Sequence, residues 1–118
     1  MTNVEWVESR SDFNDLLETE DFLVVDFTAP GWCVPCQRFA PHFDKVAENA
    51  VFQSNMLGRT KFVAVDVDKA PWAMADYGVQ GVPSVRLYNG FTDTWTDLHE
   101  RTAVKLPQEI VATVYNKG

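Results

Sequence analysis

Cys33 and Cys36 are the only cysteines of the chain, two residues apart in the stretch APGWCVPCQRFAP, Ala29 to Pro41. A thiolate attacks disulfides and also binds soft metals. Two thiols at this spacing can serve one another within a single helical turn: the first attacks a substrate disulfide and the second resolves the mixed disulfide. Pro35, between them, suits the first turn of a helix, where its missing N–H is no loss and its ring stiffens the loop. A strand ahead of the pair and a helix behind it set Cys33 at a helix N-terminus. The unsatisfied N–H groups and partial positive charge there favour a thiolate. The same spacing is also half a zinc site, which needs two more ligands, and His42 and His99 are the only histidines. Two inert buried thiols are the remaining reading. Trp32 just before the pair and Pro35 within it count against that one.

The elements that must position the pair follow from hydrophobic spacing. Ser11 reads as the cap of a first helix, with Asp12 in its first turn and Phe13, Leu16 and Leu17 on one face. DFLVVDF is a continuous apolar run of strand length and predicts a buried central strand in which Asp26 is the misfit. Phe39, Phe43, Val46, Ala47 and Ala50 recur at helical spacing, predicting a helix from near Cys33 to about Asn49 with Pro41 inside it. FQSNMLGRT reads as a loop with room for an extra helical turn. KFVAVDV is a second Val-rich strand, and PWAMADYG a short helix closed by Gly78. SVRLYNG and TDTWTDL form a hairpin about an Asn89-Gly90 turn. Pro107 lies in the first turn of a last helix, with Ile110, Val111, Val114 and Tyr115 on one face. Whether a strand precedes the first helix stays open. The alternation predicts an α/β fold in one domain over 1–118, with a mixed central sheet of four to five strands and about four helices.

Trp6, Trp72 and Trp95 read as packing residues, and Gly81 as a place of close backbone approach. Asp66 and Asp68 read as solvated strand-end residues, with a metal-binding carboxylate pair as the sharper alternative. His42 reads as a surface residue, and His99 has no partner the sequence can name.

Ten Lys and Arg against seventeen Asp and Glu give a formal net charge of −7. That excludes the basic face which nucleic acids and anionic membranes require. No stretch approaches the roughly 20 apolar residues of a membrane span. The opening MTNVEWVESRSDF lacks the basic-then-apolar pattern of a secretory leader, so the expected location is the cytoplasm.

The residues VVDF, WCVPC and QRFAP, with YGVQGVPSVRLYNG further on, resemble the thioredoxin family, and the likeness runs from about Val4 to Tyr115. The resemblance implies the thioredoxin fold and the activity of a protein-disulfide reductase. It implies Cys33 as nucleophile and Cys36 as resolving thiol, above a buried acid, Asp26. Burial raises a carboxyl pKa, so Asp26 can take the Cys36 proton. It implies a cis Pro83 facing the disulfide and Val82 offering its backbone to the substrate. Trp32, Val34 and Pro35 would supply contact surface beside the sulfurs. It implies no bound cofactor, electrons from NADPH through a flavoprotein thioredoxin reductase, disulfide-containing client proteins and a monomer.

Several residues depart from the family's pattern. Val34 stands where a smaller residue is usual. One residue more separates Asp26 from Cys33, and the aromatic common at Thr28 is missing. Ala64 falls where many bacterial members place a lysine, and FTDTWTDLHERTA offers no match for a groove-wall glycine. The FQSNMLGRT loop is a few residues longer than usual. No histidine lies between the cysteines, which favours a reductant, since a histidine there stabilises the reduced thiolate. An isomerase or oxidase module, or a binding subunit with incidental thiols, are the alternatives.

Overall fold

A computed structural model describes residues 3–116. The elements run β1 (Val4–Trp6), α1 (Arg10–Thr19), β2 (Phe22–Thr28), α2 (Val34–Ala47), α3 (Ala50–Gln53), β3 (Thr60–Asp66), α4 (Trp72–Tyr77), β4 (Ser84–Asn89), β5 (Thr94–Leu98) and α5 (Lys105–Asn116). The sheet order is β1-β3-β2-β4-β5. β1, β3 and β2 are parallel, while β4 and β5 are antiparallel additions. This mixed five-stranded sheet lies at the upper end of the expected count, and the helices number five rather than four. The fifth is α3, the extra turn after the long helix. It starts three residues before the FQSNMLGRT loop is over its first polar residue, because Asn49 caps it, accepting from the Val51 amide at 3.0 Å.

β2 is buried along its whole length, because a strand sits on each edge and helices cover both faces. Its alternate residues therefore feed two cores. Leu23, Val25 and Phe27 join Val63 and Val65 of β3, with Phe13 of α1 and Ala73 of α4, on one face. Phe22 and Val24 join Phe62 and Ala64, with Phe39 and Phe43 of α2, Phe52 of α3 and Ile110 of α5, on the other. Side chains two apart on a strand share a face, so Asp26 points into the second core, beside its cross-strand partner Ala64.

Some expectations are corrected. The α1 cap is Ser9, whose hydroxyl accepts from the Asp12 amide at 3.0 Å; Ser11 lies inside the helix. Trp6 is 53% exposed rather than packed, since β1 is an edge strand with β3 as its one partner. Trp72 and Trp95 do pack, both against the ring of Phe13. Gly81 is not a close approach: a Cβ built there would meet nothing within 4 Å. The β4–β5 connection spans 90–93, and its left-handed residue is Asp93 (φ 53°) rather than Gly90. The Tyr88 hydroxyl pins this loop by donating to Asp93 Oδ1 at 2.7 Å.

Gly90 has a different reason to be glycine. Its amide donates to the Asp21 carbonyl at 2.8 Å. A Cβ there would lie 3.0 Å from that oxygen and 3.1 Å from the Glu20 carbonyl. Both neighbours are backbone, so the α1–β2 turn must move to admit a methyl group. Gly90→Ala is expected to lower stability by about 1–3 kcal/mol, read from the midpoint of urea unfolding with an unchanged m-value.

Candidate active site

The cysteine pair stands at the junction of β2 and α2. β2 ends at Thr28, and a turn over 30–32 returns the chain so that the Cys33 amide bonds the Ala29 carbonyl at 3.0 Å. The residue that lengthens this stretch is absorbed in that turn, where the Gln37 side chain also bonds the Pro30 carbonyl at 2.9 Å. Cys33 is the N-cap of α2, with Pro35 in the first turn. The Cys36 amide donates to Cys33 Sγ at 3.2 Å, so one orphan N–H of the helix start is aimed at the outer sulfur. Cys33 and Cys36 form a disulfide, with Cα atoms 5.2 Å apart.

Beneath the pair lies a cavity of about 60 Å³, lined by Asp26, Thr28, Cys36, Asp44 and Ala64 among others. Asp26 is 3% exposed, and its Oδ1 has no hydrogen-bond partner. Burial pushes its pKa up from 3.8 to about 7; the Arg101 guanidinium opposes the rise and the Asp44 carboxylate adds to it. Ala64, at the register position opposite Asp26, brings no charge. Its small side chain is one reason the cavity exists.

Around the disulfide the rim is apolar. Trp32 is 64% exposed and Val34 50% exposed. The Trp32 indole N–H donates to Asp68 Oδ2 at 2.9 Å, and Asp66 Oδ1 in turn accepts from the Asp68 amide. Asp68 is thus an anchor for the rim tryptophan rather than a solvated strand end. Across the sulfurs the Val82–Pro83 peptide bond is cis, and the Val82 carbonyl lies 3.7 Å from Cys33 Sγ. Pairing of β4 with β2 ends at Ser84, so the ladder leaves the backbone at Val82 outside it.

The region without a groove-wall glycine is built by His99, Glu100 and Arg101. The Glu109 carboxylate accepts from the amides of His99 and Glu100. Arg101 lies over the Phe39 ring, 5.4 Å from its centroid, and lines a hollow with Pro35, Arg38, His42 and Pro83. His42 Nδ1 accepts from the Ala103 amide at 3.1 Å, which ties α2 to the segment before α5. The sequence offered no sign of the Arg101 and Asp68 contacts, because each joins segments more than 30 residues apart. Among the described residues no three His, Cys, Asp or Glu side chains gather as a metal site would require, so neither histidine nor the Asp66–Asp68 turn completes a zinc site with the cysteines. No helix among them is long and apolar enough to cross a membrane.

Comparison with known proteins agrees with this geometry. The family model described as thioredoxin matches residues 4–112. Thioredoxin 1 of Chlorobaculum tepidum is 36% identical over 97 residues, covering 81% of this chain and 84% of that protein. The thioredoxin of Streptomyces clavuligerus is 33% identical over 76 residues, a stretch that spans 64% of each chain, a little under two thirds of that relative. In fold, the chain superimposes on the oxidised thioredoxin of Plasmodium falciparum with a TM-score of 0.74 at 24% identity, over 94% of this chain and 98% of that one. From its sheet order, its bonded cysteine pair and these matches together, the chain belongs to the thioredoxin family.

Proposed function

We propose that this chain is a protein-disulfide reductase that works by dithiol–disulfide exchange at Cys33 and Cys36. The observation that carries this reading is the bonded pair itself, set at a helix start beside an apolar rim. In the reduced protein the helix N-terminus and the Cys36 amide favour a thiolate at Cys33. The thiolate attacks one sulfur of a client disulfide, an S–S bond forms between client and Cys33, and the other client sulfur leaves as a thiolate. Asp26 takes the proton from Cys36, across or through the small cavity they share. Cys36 then attacks Cys33 Sγ, the Cys33–Cys36 bond forms, and the second client thiolate is released. Two electrons have passed from the dithiol to the client.

Val82 supplies backbone for a strand-like client segment. Pro83, Trp32, Val34 and Pro35 supply the apolar contact. The protein works as one domain over 1–118, as a monomer in the cytoplasm, without a bound cofactor. Its dithiol is restored from NADPH through a flavoprotein reductase. The direct test is catalysis of dithiothreitol-driven reduction of a disulfide-bonded protein. Substoichiometric amounts of the chain are expected to multiply the rate. A rate equal to that of dithiothreitol alone would leave the chain a binding subunit with incidental thiols.

A further inference from the structure

The hollow beside the disulfide is cationic in a chain that is otherwise acidic. Arg38, His42 and Arg101 line it with Pro35, Phe39 and Pro83, and it measures about 430 Å³. The whole chain has only ten Lys and Arg against seventeen Asp and Glu. The ion pairs among the described residues join Arg10 to Asp76, Arg59 to Glu20, Lys61 to Glu5 and Arg86 to Asp97. Neither Arg38 nor Arg101 belongs to one. The carboxylates nearby in the chain are already engaged: Asp97 holds Arg86, and both oxygens of Glu109 accept backbone amides.

Arg101 is also held ready. Its Nη1 donates to the Leu98 and Glu100 carbonyls at 2.7 and 3.1 Å, and its guanidinium rests on the Phe39 ring. A guanidinium carries five N–H donors in a planar fork. The Nε and Nη2 hydrogens are left over, the arrangement that grips a carboxylate with two parallel bonds. Fixing the side chain in advance reduces the entropy lost on binding. The Phe39 edge and the two proline rings would cover the stem of the same acidic side chain.

We propose that this hollow selects protein clients whose disulfide is flanked by acidic residues, with a client Asp or Glu near the reacting half-cystine engaging Arg101 and Arg38. The selection rests on the reductase reading and adds to it the class of client. It runs against the field of the whole molecule: a net charge of −7 by itself repels acidic chains and attracts basic ones. A preference for acidic clients can therefore come only from local contacts, and the two influences predict opposite orders of reactivity.

The test uses three synthetic peptides with one internal disulfide each, identical except that the residues flanking the reacting cysteine are Glu, Gln or Lys. Second-order rate constants for oxidation of the reduced protein are measured at low ionic strength. With two carboxylate–guanidinium contacts of up to about 1 kcal/mol each, the Glu peptide is expected to react about tenfold faster than the Lys peptide. The ratio should shrink towards one at about 1 M salt, where the screening length is about 3 Å. Arg38→Gln, at an exposed residue with no printed bond to lose, should reduce the ratio, and Arg38→Gln with Arg101→Gln should invert it. Equal rates for the three peptides, a faster Lys peptide, or a ratio that the variants leave intact each overturns the proposal. Reduced protein that reacts with none of the peptides overturns the reductase reading itself, which equal but rapid rates would not.

Discussion

Serine at position 33 is expected to remove catalysed disulfide reduction, and serine at position 36 to remove turnover while leaving the first attack intact. The two substitutions look alike in a steady-state assay and differ in what accumulates. Without the Cys33 sulfur nothing attacks, and loss of a covalent nucleophile costs several orders of magnitude in rate. Without the Cys36 sulfur the mixed disulfide forms and stays. A client incubated with reduced Cys36→Ser protein should migrate on a non-reducing gel as a one-to-one adduct that dithiothreitol dissolves. The asymmetry follows from the helix start: Cys33 is the cap that accepts the Cys36 amide, and Cys36, 1% exposed, lies over the cavity it shares with Asp26. A stable adduct from Cys33→Ser with none from Cys36→Ser would reverse the assignment.

Asp26→Asn should change both the chemistry and the pH dependence of stability. Loss of a general base of this kind slows proton transfer by about 10²-fold or more. The wild-type resolving step should quicken as pH rises through about 7, where Asp26 ionises, and the variant should lack that inflection. The stability effect has a definite sign. Burial raises the folded-state pKa from 3.8 to about 7, so over that interval the folded protein holds a proton that the unfolded chain gives up. Stability therefore falls as pH rises from about 4 to about 7 and levels off above. The raised pKa corresponds to about 4 kcal/mol of stability lost across the window. Urea unfolding of the oxidised protein at pH 4 and pH 8 should show Asp26→Asn gaining about that much on wild type between the two pH values. A variant that tracks wild type at both would mean that Asp26 is solvated and cannot act as proposed.

The residues legible in the sequence are those whose meaning is local. The cysteine spacing, Pro35 in the first helical turn and an aspartate inside LVVDF need no knowledge of distant segments. The run LVVDF also gave β2 its central place, because a strand with neighbours on both edges and helices on both faces must be apolar throughout. Where the sequence misled, the deciding contact was distant or the element short. β1 has three residues and sits at an edge, so Trp6 could look like core and yet face outwards. Asn89-Gly90 looked like a tight hairpin turn, but Gly90 is needed for its approach to Asp21, and Asp93 bends the loop. Arg101 reaches the active-site rim only because β5 and α5 fold back over Phe39. Asp68 reaches Trp32 only because β3 lies beside β2. A missing glycine in FTDTWTDLHERTA signalled an altered groove without saying that an arginine fills it.

The measurement that tests the central claim most directly is the equilibrium reduction potential of the Cys33–Cys36 disulfide against dithiothreitol and glutathione buffers. Val34 and Pro35 cannot acquire charge, so nothing between the cysteines stabilises the reduced thiolate as a histidine would. The account predicts a value near about −270 mV, in the range of a reductant. A value near about −180 mV or above would contradict it and make the chain an isomerase or oxidant.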